Sequence, residues 1–416
     1  MLPRLLAVAL LTGVVWSPAA EASDKKLSWA SASKAHWLRL DASLVTDLVI
    51  FPRVETGYGV SWHAGPELRE ARIGAHFQVA RIWGGQLDLD LASLDPLSMD
   101  LWVESRAWAW LKIRFGRFKI PFGRIQQLAV REQLLLETPL VVGNSRDFRD
   151  TGLMLLGELW GRRVSYGLAM VTGSRDLAVD VNELPDLVGS LQLHPMRGLG
   201  PWLRNLGLGA SFSFGEGPIR RGFRGRTTAG WTFINPPSIR GRQLRWGVNL
   251  EWLTHWMTFR AEYMWQRQYR EDIEETQRVG TSMVAVGDLE PWTVHGFFTD
   301  LTVHVWGRRS LQGPLSGIEL TARFESLSFS DGSRQETIPE GVAEHAPLTD
   351  SWIQGVSAGL NGYLGWGVRL SLLYQGLRFG RRDLAPDYDS TATPAQDPAA
   401  MGHWVHHVFL RAQWSY

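Results

Sequence analysis

Apolar and polar residues alternate with a period of two in one segment after another, and the polar positions carry charge. Ile318, Leu320, Ala322 and Phe324 alternate with Glu319, Thr321, Arg323 and Glu325. Phe259, Ala261, Tyr263 and Trp265 alternate with Arg260, Glu262 and Gln266, and Val368, Leu370, Leu372 and Tyr374 with Arg369, Ser371 and Gln375. Near the start, Leu38, Leu40, Ala42 and Leu44 alternate with Arg39, Asp41 and Ser43. A period of two marks a strand with two unlike faces. In a dry sandwich core each of these charges would need a partner. A water-filled interior accepts them at little cost. The same rhythm over 405–416 sets Val408, Leu410, Ala412, Trp414 and Tyr416 against His407, Arg411, Gln413 and Ser415. Such a segment reads either as the closing strand of a transmembrane barrel, oily outside and wet inside, or as an edge strand of a soluble sheet.

About sixteen such segments occur, at roughly 37–50, 69–81, 85–92, 98–108, 111–119, 150–159, 162–173, 187–195, 206–216, 242–253, 256–270, 293–307, 317–331, 353–364, 367–380 and 405–416. Short connections (Trp160-Gly161, Thr254-His255, Gly365-Trp366) largely alternate with long ones at 120–149, 217–241, 271–292, 332–352 and 381–404. An up-and-down barrel has this rhythm, tight turns at one end and long loops at the other. The expected fold is therefore all-β: a transmembrane antiparallel up-and-down β-barrel of about 16 strands with long extracellular loops. The segment 120–149 differs from the other loops. It mixes Leu134, Leu135, Leu136, Val141 and Val142 with Arg124, Arg131, Glu132, Glu137, Arg146 and Asp147. Apolar content of this kind packs on something. One reading folds the loop inward as a constriction of the pore. The other packs it on neighbouring loops or on another subunit.

Composition fits a barrel. Hydrophobic residues make up 44% of the chain while its mean hydropathy stays near zero, as an oily face diluted by a wet one would give. The 21 tryptophans suit a membrane–water interface. Arg4, the apolar stretch 5–16 and Ala20-Glu21-Ala22 read as a signal peptide over 1–22, leaving 23–416 as one barrel domain. No apolar stretch is long enough for a membrane-spanning helix. With no cysteine, disulfides contribute nothing to stability. A balance of 43 basic against 42 acidic residues argues against nucleic acid as a partner. No pattern calls for a cofactor or a metal, and no Ser, His and Asp fall in a recognisable catalytic motif.

Lys112-Ile113-Arg114-Phe115-Gly116-Arg117-Phe118-Lys119-Ile120-Pro121-Phe122-Gly123 resembles a strand end of the phosphate-selective porin O and P family. Arg149-Asp150-Thr151-Gly152-Leu153-Met154, Tyr166 to Gly173, Gly359 to Leu364 and Leu410 to Tyr416 resemble further segments of that family, in the same order. The resemblance implies a sixteen-stranded barrel in the bacterial outer membrane, in contact with outer-membrane lipid, a homotrimer, and a channel for small anions such as phosphate. The chain departs from the family pattern at Thr138, Thr172, Ser190 and Gly362, which bears on phosphate selectivity rather than on the barrel.

Strand phase sends Arg39, Lys112, Arg114, Arg245, Arg260, Arg323, Arg369 and Arg411 inward as candidate pore-lining residues. It sends Asp41, Asp88, Asp90, Glu104, Glu251, Glu262, Glu319 and Glu325 inward as well. A lining of mixed sign selects weakly, and each charge reads equally as a paired wall residue. Arg124, Arg131, Arg146 and Arg149 of the long loop are the candidate constriction residues, because a constriction holds solute against its walls and a guanidinium binds oxyanions in a fork. The expected function is passive diffusion of small anionic or polar solutes. The alternative is a non-conducting barrel displaying loops for adhesion or assembly.

Overall fold

The computed structural model describes residues 28–31, 33–55, 59–92, 98–128, 133–145, 149–173, 185–200, 202–203, 205–221, 223, 225–234, 238–269, 274–279, 282–288, 291–307, 315–330, 351–364, 367–388 and 402–415. The segment 1–22, expected from the sequence to be a signal peptide, lies outside them, as do Arg131 and Arg146.

In chain order the strands are β1 (Ser28–Ala30), β2 (Trp37–Glu55), β3 (Gly59–Val79), β4 (Trp83–Asp90), β5 (Ser98–Ser105), β6 (Lys112–Lys119), β7 (Arg149–Leu159), β8 (Val164–Val171), β9 (Asp186–Leu193) and β10 (Leu206–Arg221). There follow β11 (Ser238–Leu253), β12 (Met257–Gln268), β13 (Glu274–Val279), β14 (Ser282–Asp288), β15 (Trp292–Gly307), β16 (Gly317–Ser330), β17 (Ser351–Leu364), β18 (Val368–Phe379) and β19 (His403–Ser415). Sixteen of them, β2 to β12 and β15 to β19, pair antiparallel with their sequence neighbours, β12 passing directly to β15. The last pairs with the first, from Ser415 opposite Ser43 to Val408 opposite Ile50, and the barrel is closed. Strands β13 and β14 form a separate hairpin within the long β12–β15 connection. Closure satisfies every wall strand on both sides, which a sheet in lipid requires.

Burial follows the alternation. On β12 the even residues Thr258 to Gln268 are buried and the odd ones partly exposed. On β16 the odd residues, Glu319, Arg323 and Glu325 among them, are buried, while Leu320 and Phe324 are exposed. The outer surface is an apolar band edged with tryptophan. Trp83, Trp110, Trp160, Trp256, Trp306 and Trp414 stand exposed at the short-turn end, and Trp404 near the long-loop end. Ten residues separate Trp404 from Trp414. At about 3.3 Å per residue and a strand tilt of about 40°, that is roughly 25 Å, the height of a lipid-facing band.

The wall is uneven. Strands β4, β5, β6, β8 and β9 have 8 residues each, whereas β10, β11 and β15 have 16. The taller half carries a dry core inside the barrel. Met264, Trp292, Val294, Phe298, Leu327, Phe329, Ile353, Leu377, Phe379 and Val405 point inward there. Loop residues Ile125, Leu140, Val141, Val142, Phe223, Phe233 and Leu384 cover them. The uniformly wet interior read from the alternation is thus only half of the lumen. On β16 the inward phase passes from Glu319, Arg323 and Glu325 to Leu327 and Phe329, and those last two are what the loops seal.

Candidate channel lumen

After β6 the chain turns inward. Gly123, at φ +67°, lets it bend at a position where a side chain would collide with Glu262 and Met264. Its N–H donates to Ser211 Oγ at 3.2 Å. The N–H groups of Arg124 and Ile125 donate to Glu262 Oε1 and Oε2 at 3.0 and 3.2 Å. One wall carboxylate thus takes the free donors at the start of the short 3-10 turn Ile125–Gln127. The Arg124 guanidinium donates to Glu251 Oε2 through Nε and Nη2 at 3.1 and 3.0 Å, and Glu251 Oε1 accepts Arg260 Nε at 2.7 Å. Burial of Ile120, Phe122 and Ile125 adds an apolar driving force for the inward course.

Further along, wall side chains grip the loop backbone almost residue by residue. Arg369 Nη1 donates to Gln133 O at 2.9 Å, and Asn361 Nδ2 to Leu134 O at 2.8 Å. Arg411 Nη1 donates to Leu136 O, and Arg323 Nη1 to Glu137 O at 2.6 Å. Leu140 N, at the start of helix α1 (Leu140–Asn144), donates to Glu325 Oε2 at 2.6 Å. Asn144 exchanges two hydrogen bonds with the backbone of Arg226, at 2.8 and 2.7 Å. The loop lies inside the barrel and is fastened there. Its Glu137 accepts Arg69 Nη2 at 2.8 Å and Arg411 Nη2 at 3.0 Å.

The expected pore-lining arginines therefore divide. Arg245, Arg260, Arg323, Arg369 and Arg411 point inward but none borders the open cavity, and the loop backbone takes up donors of Arg323, Arg369 and Arg411 that would otherwise face water. Arg245 lies under the Phe122 ring, its guanidinium carbon 5.1 Å from the centroid, and donates to Ser213 Oγ at 2.9 Å. Arg39 pairs with Asp41, which also binds His76 Nε2 at 2.7 Å. Lys112 and Arg114 face the cavity.

That cavity measures about 730 Å³ and lies between the loop base and the lower wall formed by β2 to β9. It reaches from Glu158, Arg162 and Arg197 near the short turns to Lys119 and Gln127 at the loop. Its cations are mostly tied to acids. Arg72 binds Glu70 at 3.1 Å, Arg149 binds Asp100 at 3.0 Å, and Arg114 binds Glu104 at 2.6 Å while stacking on the Trp102 ring at 3.8 Å. Lys119 Nζ donates to Leu128 O at 2.6 Å. Burial, then Arg124 and Arg197, pushes His194 below the usual imidazole range, so it is neutral at pH 7. Of the four candidate constriction residues, Arg124 and Arg149 border this space. Arg131 and Arg146 lie outside the described residues.

Three charges lie beyond the sequence reading: Arg69, which holds Glu137 of the loop, Asp100, which holds Arg149 at the cavity, and Asp47, which holds Arg411 of the wall. Asp47 shares the inward phase of Asp41 on the same strand, which was a usable signal. Arg69 was not readable by phase, because a bulge at that point of β3 turns both Arg69 and Glu70 inward.

The closed barrel has solved counterparts. OmpT of Vibrio cholerae superposes with a TM-score of 0.58 at 12% identity, over 92% of this chain and 98% of that one. An anion-selective porin from Comamonas acidovorans gives 0.56 at 10%, over 92% and 100%. The outer-membrane channel DcaP of Acinetobacter baumannii gives 0.54 at 11%, over 93% and 99%. The fold is that of the bacterial outer-membrane porins. At these identities the fold alone is shared. No protein-family model and no curated protein matches the chain. Among the described residues no three His, Cys, Asp or Glu side chains are grouped to hold a metal ion.

Proposed function

We propose that this protein is an outer-membrane porin that lets small anionic or polar solutes diffuse through a water-filled channel. One observation carries the reading: a charged cavity of about 730 Å³ stays open between the inner loop and the β2–β9 wall, inside a closed barrel with an apolar outer band. The segment 1–22 serves export in this reading, and the barrel assembles as a homotrimer, as its resemblance to the porin O and P family implies. That resemblance also supports phosphate or polyphosphate as the permeant solute. The pairing of Arg72, Arg114 and Arg149 with acids weighs against it, because multivalent anions need several free cations together. The loops that fill the taller half of the lumen favour the second reading, a non-conducting barrel for display. Planar-bilayer recording decides between them. Stable ohmic steps from purified protein support the channel, and silence from correctly folded protein removes it. Reversal potentials in a salt gradient then give the sign of selectivity.

A further inference from the structure

Among the cations on the strands that border the cavity, Lys112 stands apart. Arg72, Arg114 and Arg149 each have a carboxylate, and Lys119 has backbone carbonyls. Lys112 makes no hydrogen bond or ion pair among the described residues. Its cross-strand partner is Leu156 of β7, a half-buried apolar residue that also borders the cavity. One register step away Arg114 stands opposite Met154, and that arginine is already stacked on Trp102 and bonded to Glu104. On the other side Glu158 is held by Arg162 at 2.7 Å. A free ammonium thus lies beside a leucine on the same face, with the neighbouring charges satisfied.

We infer that the Lys112–Leu156 pair is a solute-binding step of the channel that favours monovalent organic anions with a short apolar body over inorganic anions. The inference rests on the porin reading and names the solute class within it. One free cation matches one carboxylate, whereas a phosphate needs more donors than this site has free. Paired side chains on one face of a sheet have Cβ atoms about 5 Å apart. A carboxylate on Lys112 Nζ therefore lays the carbon attached to it against Leu156. Covering about 50 Å² of apolar surface corresponds to roughly a tenfold gain in affinity.

The test uses full-length purified protein in a planar bilayer in potassium chloride, with benzoate, acetate or inorganic phosphate added in series. Benzoate is expected to halve the chloride current at a concentration about tenfold below that of acetate, with phosphate no stronger than acetate. Leu156→Ser brings benzoate close to acetate. Lys112→Gln weakens both organic anions severalfold and leaves their ratio in place. Equal inhibition by benzoate and acetate, stronger inhibition by phosphate, or an unchanged ratio in Leu156→Ser overturns the inference. Should a variant fail to fold, the wild-type ratio of benzoate to acetate decides alone. Absence of any chloride current overturns the porin reading and this inference with it, while a current without benzoate preference overturns only the inference.

Discussion

Arg411 of β19 and Asp47 of β2 face each other across the seam where the barrel closes, joined by two hydrogen bonds of 2.6 Å, Nε to Oδ1 and Nη2 to Oδ2. Both side chains are 1% exposed. The same guanidinium reaches Leu136 O and Glu137 Oε1 of the inner loop. A single residue therefore ties the first strand, the last strand and the loop together.

Removing one member of this group leaves a buried charge without its partner, which costs about 3–5 kcal/mol. Arg411→Ala is expected to lower stability by that amount, and the double variant Arg411→Met/Asp47→Leu by much less. Urea unfolding followed by tryptophan fluorescence checks this. Equal losses in the single and double variants would show that packing, not charge, holds the seam.

Arg124 is the loop residue best placed to act on a passing ion, since it borders the cavity and is fixed by Glu251. Arg124→Glu removes a positive charge and sets a carboxylate against both Glu251 and Glu262. The anion-to-cation permeability ratio should fall roughly twofold or more, and the loop base should loosen, giving a larger and noisier conductance. An unchanged reversal potential would place Arg124 away from the ion path.

Gly123→Ala probes the bend by which the loop enters the barrel. A Cβ there would stand 2.6 Å from Met264 Cε and 2.7 Å from Glu262 Oε1, on a backbone at φ +67°. The left-handed backbone alone costs about 1–2 kcal/mol for a residue with a side chain. The displaced Glu262 would also lose its bonds to the N–H groups of Arg124 and Ile125. A lowered unfolding temperature and faster protease cleavage between 120 and 145 are the expected results. A variant as stable and as resistant as the parent would mean that the bend relaxes freely.

The barrel was legible because alternation has a period of two and each segment has its turn. All sixteen wall strands coincide with alternating segments, and Arg323, Glu325, Arg369 and Arg411 face inward as their phase requires. Less legible was the upper part of the β2–β3 hairpin. Pro52, Gly57, Gly59, Gly65 and Pro66 interrupt the pattern there, yet pairing continues past the bulge at Arg69, shifted by one residue, to Glu55 opposite Gly59. The hairpin of β13 and β14 lies within a charge-rich stretch whose sequence reads as loop for the same lack of alternation. Arg245 and Arg369 were readable as inward residues but not as residues under a loop. Which wall a loop covers depends on tertiary contacts that no local pattern encodes. Leu327 and Phe329, apolar in an inward phase, were the available hint.

His194 gives the lumen a dependence on pH. Burial and the nearby Arg124 and Arg197 disfavour its charged form, while Glu251 opposes them. Its pKa is depressed in the folded protein, so the unfolded chain takes up the proton first. Acidification through the ordinary imidazole pKa of about 6.5 therefore removes stability as pH falls, and none is lost above that value. For the channel the sign is opposite: a proton on His194 adds positive charge to the cavity. Anion preference should stay level from about pH 8 to 6.5 and rise below the ordinary imidazole range. His76, bonded to Asp41 on the same cavity, is present in the parent and in a His194→Asn variant alike, so their difference reads His194. Reversal potentials of the two proteins across this range are the measurement. A His194→Asn profile that overlays the parent at every pH would leave His194 a structural residue of the turn.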